Sequence, residues 1–448
     1  MIFVCALSLG CAKNRVDTEV MLGLLGTAGY GVTSDPQAAD VILVNTCAFI
    51  AAAQRESIIT LLEATGYKQE GRLRALIAAG CLAERHGAAL LREIPEIDAV
   101  LGTGKLDRVV EVVEGALEGR KPVVTGDPGF LHSTEPRLLT TPSYTAYIKI
   151  AEGCGNRCSF CVIPALRGRF RSRSREDIVT EAGLLAAGGV KELILVAQDT
   201  TKWGTDLYGR PGLPGLLQEL AHLDGVRWIR LLYAYPTGIS EELLRVMAEE
   251  ERICRYLDIP LQHVSPHLLK SMNRPVTDAK ELVRKVRAAV PGVALRTTFI
   301  VGFPGETETD FTALKEAVRE LKFEHVGVFA YSREDGTPAA AMSGRVSGKV
   351  REKRARDLKK VTRELSFSRN QSRVGQEIPV LAEGKQGRFF RGRSESDAPD
   401  VDGTVCFDAV RPVEPGDFVK VRVTAAKAYD LIGEAVQLQD PTQNGREN

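Results

Sequence analysis

Cys154, Cys158 and Cys161 fall within eight residues, inside the stretch EGCGNRCSFCVIPALRGRFRSR at 152–173. Three thiols on one short loop commit that loop to metal or redox chemistry. A structural zinc ion takes four ligands, and its cysteines usually come as paired half-sites. Here the nearest upstream histidine is His132, none follows before His222, and no further cysteine lies nearby. A disulfide would leave one thiol over. A 4Fe–4S cluster suits the number better: three thiolates hold three irons, and the fourth iron keeps an open position for a substrate or cofactor. Three unrelated core cysteines are the alternative.

At 448 residues the chain exceeds one ordinary core, and roughly two to four domains are expected. A net charge of +1 implies no bulk attraction to nucleic acid. Nine cysteines, an odd number in a long chain, point to metal use in a reducing compartment and not to a disulfide framework. No apolar run is long enough to span a membrane. MIFVCALSLGC has no positive residue before Cys11 and runs straight into polar AKNRVD. It reads as a first buried strand and not as a signal peptide, and the expected location is the cytoplasm.

Residues 1–118 alternate apolar runs (MIFVCAL, VILVNT, ALIAAG, AVLGTG) with helical patterns such as DTEVMLGLLGTAG and ESIITLLEATG. The alternation predicts a parallel sheet with helices on both faces. Cys11 lies in the turn after the first run, Cys47 directly after VILVNT, and Cys81 directly after ALIAAG. Ligands of such sheets bind beyond the carboxyl ends of the strands, so three parallel strands would bring these thiols to one edge. Small buried cysteines that merely end strands are the alternative.

Residues 119–143 carry four prolines and three glycines and read as a linker. Residues 144–373 open with six more strand candidates: AYIKIAEG, ELILVAQDT, WIRLLYAYP, YLDIPLQH, LRTTFIVGFP and HVGVFAYS. Six βα units predict a (βα)6 partial barrel, two strands short of the closed TIM form. The Cys154 loop follows the first of these strands, which places its site at the carboxyl mouth. GKVREKRARDLKKVTRELSFSRNQ predicts a charged helix whose Leu358, Val361 and Leu365 pack on the barrel; an RNA-gripping helix is the alternative. Residues 374–440 read as short strands in EIPVLAEG, RFFRGRS, GTVCFDAV and DFVKVRVTAAKAYDLIGEAV, a small all-β barrel of the oligonucleotide-binding shape. A disordered tail is expected over 441–448. The fold class is therefore α/β, with an all-β module at the end.

The CxxxCxxC spacing, with Phe160 before the last cysteine and six βα units around it, resembles the radical S-adenosylmethionine superfamily. The resemblance implies a 4Fe–4S cluster on Cys154, Cys158 and Cys161 that chelates S-adenosylmethionine and, once reduced, cleaves it to a 5′-deoxyadenosyl radical. No protein acid or base activates an aliphatic C–H bond, so a cofactor must supply that reactivity. The resemblance sets Phe160 and Val162 near the adenine, and Gln198 and Asp199 of AQDT near the methionine part. It also sets Gly302 of TTFIVGFPGET where the backbone comes close to the cofactor. An ordinary strand-to-helix turn is the alternative for Gly302 and Gly305.

SLGCAKNRVDTE, NTCAF and AGCLAER, together with the order of domains, resemble the methylthiotransferases within that superfamily over nearly the whole chain. The resemblance implies a second 4Fe–4S cluster on Cys11, Cys47 and Cys81, carrying the sulfur to be inserted, and a TRAM-type terminal barrel. One S-adenosylmethionine would supply the methyl group and a second the radical. Ala12 departs from the family, which commonly has proline there. Cys5, Cys254 and Cys406 match no motif and are expected in core packing. His263 is expected to be structural or cofactor-adjacent, with a catalytic base as the alternative.

DIPLQH and SDAPDVDG (396–403) resemble the group of that family that methylthiolates the β-carbon of an aspartate in small-subunit ribosomal protein twelve. Residues 381–448 hold nine Lys or Arg and twelve Asp or Glu, a net of −3. An acidic module suits a basic ribosomal protein better than it suits phosphates. On this reading Asp397, Asp400 and Asp402 lie on one exposed loop facing the barrel mouth and bind the substrate. An electron donor such as flavodoxin or ferredoxin is a further implied partner. Two rivals remain: the sister activity on an adenosine of transfer RNA, and a non-catalytic iron–sulfur RNA-binding or redox-sensing protein.

Overall fold

Val41–Thr46 is buried at every position, as a parallel strand covered on both faces should be. In the computed structural model, which describes residues 1–438 except 127 and 134, it lies within a six-stranded, all-parallel sheet. The spatial order is Gly31–Val32, Phe3–Ser8, Val41–Thr46, Ala75–Ala79, Ala99–Leu101, Val123–Val124. Alternate residues feed two cores, one containing Ile42, Val44 and Leu76 and the other Val41, Leu43 and Ile77. Each of the four expected runs forms a strand. The two-residue edge strands carry too little pattern to be read from sequence.

The segment 119–143 is more than a loose tether. Val123–Val124 completes the first sheet. Farther on, Arg137 inserts between Glu19 of the helix Ala12–Thr27 and Glu181 of the helix Arg175–Ala187. Glu19 is fully buried, and its carboxylate also accepts from the Thr140 N–H and hydroxyl. A buried carboxylate needs such partners, and they fix the route of the chain.

The second sheet has six parallel strands in sequential order: Thr145–Lys149, Glu192–Val196, Trp228–Leu231, Ile253–Asp258, Ala294–Val301 and His325–Ala330. It is open, as six βα units require. Ser174, Ser240 and Asp278 cap the following helices through their side chains, and Thr307 with Asp310 forms a capping box. The helix Gly348–Ser372 buries Leu358 and Val361 against this domain, with Leu365 partly covered.

Residues from Glu377 to Leu438 form a closed five-stranded barrel. The run DFVKVRVTAAKAYDLIGEAV is two strands, Phe418–Ala426 and Leu431–Leu438, reversed by a turn in which the Lys427 N–H donates to the Asp430 carbonyl. The small barrel docks on the inner face of the open sheet, near the amino ends of its strands. There Glu192 pairs with Arg230 of the sheet and Arg393 of the barrel, and Phe418 meets Trp228 edge-on at 4.9 Å. Burial alone would raise the Glu192 carboxyl, yet the two guanidiniums hold it down at about 2. The tail 441–448 lies outside the described residues. No described helix is long and apolar enough to cross a membrane.

Candidate active site between two cysteine triads

The first triad is assembled from three strand ends. Phe3–Ser8, Val41–Thr46 and Ala75–Ala79 are neighbours, and Cys11, Cys47 and Cys81 follow them. The turns are tight. Gly10 has φ +90°, and a Cβ there would sit 2.8 Å from the Cys47 Cβ. Gly80 has φ +86°, and a Cβ there would sit 2.1 Å from Asn45 Oδ1. Only glycine lets the backbone come this close.

Asn14 ties the three turns together. Its Nδ2 donates to the carbonyls of Leu9 and Thr46 at 2.9 and 3.0 Å, and its Oδ1 lies 3.8 Å from Cys81 Sγ. Burial pushes the Cys81 thiol up to about 12, and the charges of Cys11 and Cys47 add to the rise. Burial likewise raises Cys47. Burial also opposes the Cys11 thiolate, but Lys13, Arg167 and the N–H groups of Asn14 and Lys13 bring that thiol below its ordinary value. Cys5 is buried inside its strand and joins the core, as Cys254 does in the second domain; Cys406 is half-buried in the small barrel.

The second triad lies on one loop beyond the strand Thr145–Lys149. The Cys154 N–H donates to the Gly168 carbonyl, and the Cys161 N–H to that of Cys158. Burial pushes the Cys161 thiol up to about 12, with Cys158 and Cys154 adding to it. Arg274 Nη1 lies 3.6 Å from Cys158 Sγ. Among the described residues no three His, Cys, Asp or Glu side chains converge on a single-ion site. A zinc ion, with Zn–S of about 2.3 Å, needs thiols within about 4 Å of each other. A four-iron cluster spreads its thiolates wider. Each set is three cysteines, the number that a cluster with one open iron would use.

A buried polar network joins the two triads. Arg167 donates to Asn14 Oδ1, to Asp17 Oδ2 at 2.9 Å and to Glu152 Oε2 at 2.9 Å. Lys149 pairs with the same two carboxylates. Gln198 Nε2 donates to Glu152 Oε1 at 2.7 Å, while the buried Gln198 Oε1 has no partner among the described residues. Asp199 accepts from Asn156 and Thr201. AKNRVD was visible in the sequence as a motif, but the roles of Asn14, Asp17 and Arg167 were not.

The structure gives the other expected site residues the following surroundings. Phe160 is half-buried against Leu268, Met272 and Phe303. Val162 packs into the first domain's core with Cys81 and Leu82. Gly302 has φ +74°, and a Cβ there would sit 2.2 Å from Arg351 Cγ, so the glycine leaves room for that side chain. His263 is buried, accepts from the Ser265 N–H at Nδ1 and faces Glu306 at 3.6 Å, a structural setting.

The acidic loop is the main correction. The Asp402 side chain is 1% exposed, bonded to Arg296 at 2.6 Å and to the Tyr256 hydroxyl at 2.7 Å. Asp397 is buried against Ser394, with His325 at 3.6 Å. Of the three, Asp400 alone is exposed, 3.4 Å from Arg15. The loop faces the amino ends of the strands because Arg296 and His325 on the inner face need counter-charge there. Two of the twelve acids in that sum are therefore covered counter-ions and not surface charge.

Residues 4–102 match the uncharacterized protein family UPF0004, residues 148–318 the radical SAM superfamily, and residues 374–436 the TRAM domain. Among solved structures, the radical S-adenosylmethionine methyltransferase TsrM from Kitasatospora setae superposes with a TM-score of 0.54 at 17% identity. That match covers 86% of this chain and 79% of that one, and it speaks for the fold alone. The ribosomal protein uS12 methylthiotransferase RimO of Pelotomaculum thermopropionicum is 53% identical over 435 residues, covering 96% of this chain and 98% of the relative. The RimO of Geobacter sulfurreducens is 48% identical, covering 97% and 98%. The chain belongs to the RimO family of ribosomal protein uS12 methylthiotransferases.

Proposed function

We propose that this chain methylthiolates the β-carbon of an aspartate in uS12. In this reading Cys154, Cys158 and Cys161 hold the 4Fe–4S cluster that works with S-adenosylmethionine, and Cys11, Cys47 and Cys81 hold a second one. The observation that carries it is the pair of three-thiol sites joined across the domain boundary by Asn14, Arg167 and Glu152. When bound, the first cluster supplies an electron to S-adenosylmethionine and the second presents the sulfur.

The chain's own residues position and shield. Gln198 Oε1, buried and unpartnered, would accept from the ammonium of S-adenosylmethionine. Asp199 steadies the Cys154 loop through Asn156. The Lys149–Asp17–Arg167–Glu152 network keeps the two sites at a fixed separation, which group transfer between them requires. An external electron donor such as flavodoxin or ferredoxin would reduce the site. The free cysteines suit the reducing cytoplasm.

Anaerobic reconstitution tests this reading. The wild type should take up about eight irons per chain, make 5′-deoxyadenosine under reduction and methylthiolate uS12. Cys81→Ala should retain about four irons and still make 5′-deoxyadenosine, but leave uS12 unmodified. Production of 5′-deoxyadenosine by Cys154→Ala would overturn the assignment of the barrel triad.

A further inference from the structure

Lys13 is 8% exposed, and among the described residues no carboxylate lies within 4.0 Å of its ammonium. A buried cation ordinarily takes a counter-charge. Elsewhere in this chain it does: Lys149 and Arg167 have Asp17 and Glu152, Arg230 and Arg393 have Glu192, and Arg354 has Glu306. Arg274, which also lacks a carboxylate, spends its donors on Cys158 and the Pro260 carbonyl. Lys13 meets Tyr233, with Nζ 3.5 Å from the ring centroid.

The place of this cation matters as much as its lack of a carboxylate. Lys13 stands in the first turn of the helix Ala12–Thr27, two residues from Cys11, and that turn carries no acid. The helix N-terminus adds partial positive charge of its own. Tyr233 follows the strand Trp228–Leu231 at the carboxyl mouth, held by its N–H to Asp258 and its carbonyl to Thr200. Asp258, the acid on that side, is already engaged by Tyr233 and faces Arg296 at 3.7 Å. Lys13 thus projects from the first triad to the mouth that holds the second.

We propose, on the basis of the function given above, that Lys13 binds the side-chain carboxylate of the substrate aspartate. The carboxyl carbon is bonded directly to the β-carbon. Fixing the carboxylate at Lys13 therefore fixes the reacting carbon beside the Cys11 triad and in front of the Cys154 triad. A neutral side chain would leave the ammonium with Tyr233 and the Cys11 thiol and no carboxylate, so the same contact selects for an acid.

Holoenzyme binding to purified uS12, and to uS12 with its target aspartate replaced by asparagine, tests the assignment. The wild type should bind the aspartate form about tenfold more tightly, the scale of one charged hydrogen bond. Lys13→Met should lose that preference and bind the asparagine form as the wild type does, with Lys13→Arg restoring part of it. Iron content checks each variant, and Lys13→Gln stands in should Lys13→Met lose iron. If Lys13→Met keeps the tenfold preference, the ammonium serves the thiolate charge at Cys11 and the assignment falls; it falls too if the wild type binds both forms alike. Failure of the wild type to bind either form would instead sink the functional reading on which it rests.

Discussion

Arg167 Nη2 lies 2.9 Å from Asp17 Oδ2 across the boundary between the first domain and the open barrel, and the two side chains are 1% and 2% exposed. Arg167 belongs to the loop that begins with the barrel cysteines, and Asp17 to the helix that begins at Cys11. This ion pair, with Lys149–Asp17 beside it, therefore ties the two triads to each other.

Arg167→Met should loosen that relation. Removing one member of a buried pair costs about 3–5 kcal/mol, because the partner charge is left behind; here Lys149 compensates in part. Urea unfolding of the cluster-free protein should show the loss. In the reconstituted enzyme, uS12 modification should fall much further than 5′-deoxyadenosine production, since the second reports on the barrel triad alone. Equal losses in both would mean that Arg167 supports the barrel loop only.

Cys254→Ala should leave the iron content unchanged. Its thiol is buried and pushed up to about 12 by burial, with no motif around it, and a smaller side chain should cost about 1–2 kcal/mol. Loss of iron on this substitution would make it a ligand and would contradict the assignment of the six.

The barrel strands and the places of the cysteines beyond them were readable because their signals are local: a period, a spacing, a cysteine directly after an apolar run. The partners of Arg167 and Asp402 were not. Arg167 finds Asp17 150 residues away, and Asp402 finds Arg296 106 residues away. Asp402 sits in a stretch that looks like a solvated turn, and a charge sum cannot tell a buried counter-ion from a surface acid. Nor was the packing of Val162 readable. Its place in the motif suggested the cofactor side, but the loop also packs on the first domain, and the apolar side chain went to that core.

The terminal barrel should depend on Arg393 and not on Asp400. Arg393→Met strands Glu192 with Arg230 as its one remaining cation, at a cost of about 3 kcal/mol or more. Limited trypsin digestion should then cut between the helix Gly348–Ser372 and the barrel faster than in the wild type. Asp400→Lys breaks an exposed pair with Arg15 and should change stability by less than about 0.5 kcal/mol. Reversal of that ranking would show that the barrel is held by its rim.

Asp258 should make the cluster-free protein less stable as the pH rises through the weakly acidic range. Its carboxyl is buried near the carboxyl mouth, Oδ1 lacks a hydrogen-bond partner, and burial raises its pKa from 3.8 to about 6. The folded state therefore holds the proton more tightly than the unfolded chain does. The contribution is fully present below about pH 4 and is lost as the pH rises through 6. A rise of that size corresponds to about 3 kcal/mol. Asp258→Asn should remove this slope, with the mutant gaining on the wild type between about pH 4 and about pH 7. Urea unfolding at those two pH values measures it. Parallel pH profiles for the two proteins would show that Arg296, at 3.7 Å, keeps the carboxylate ionised throughout.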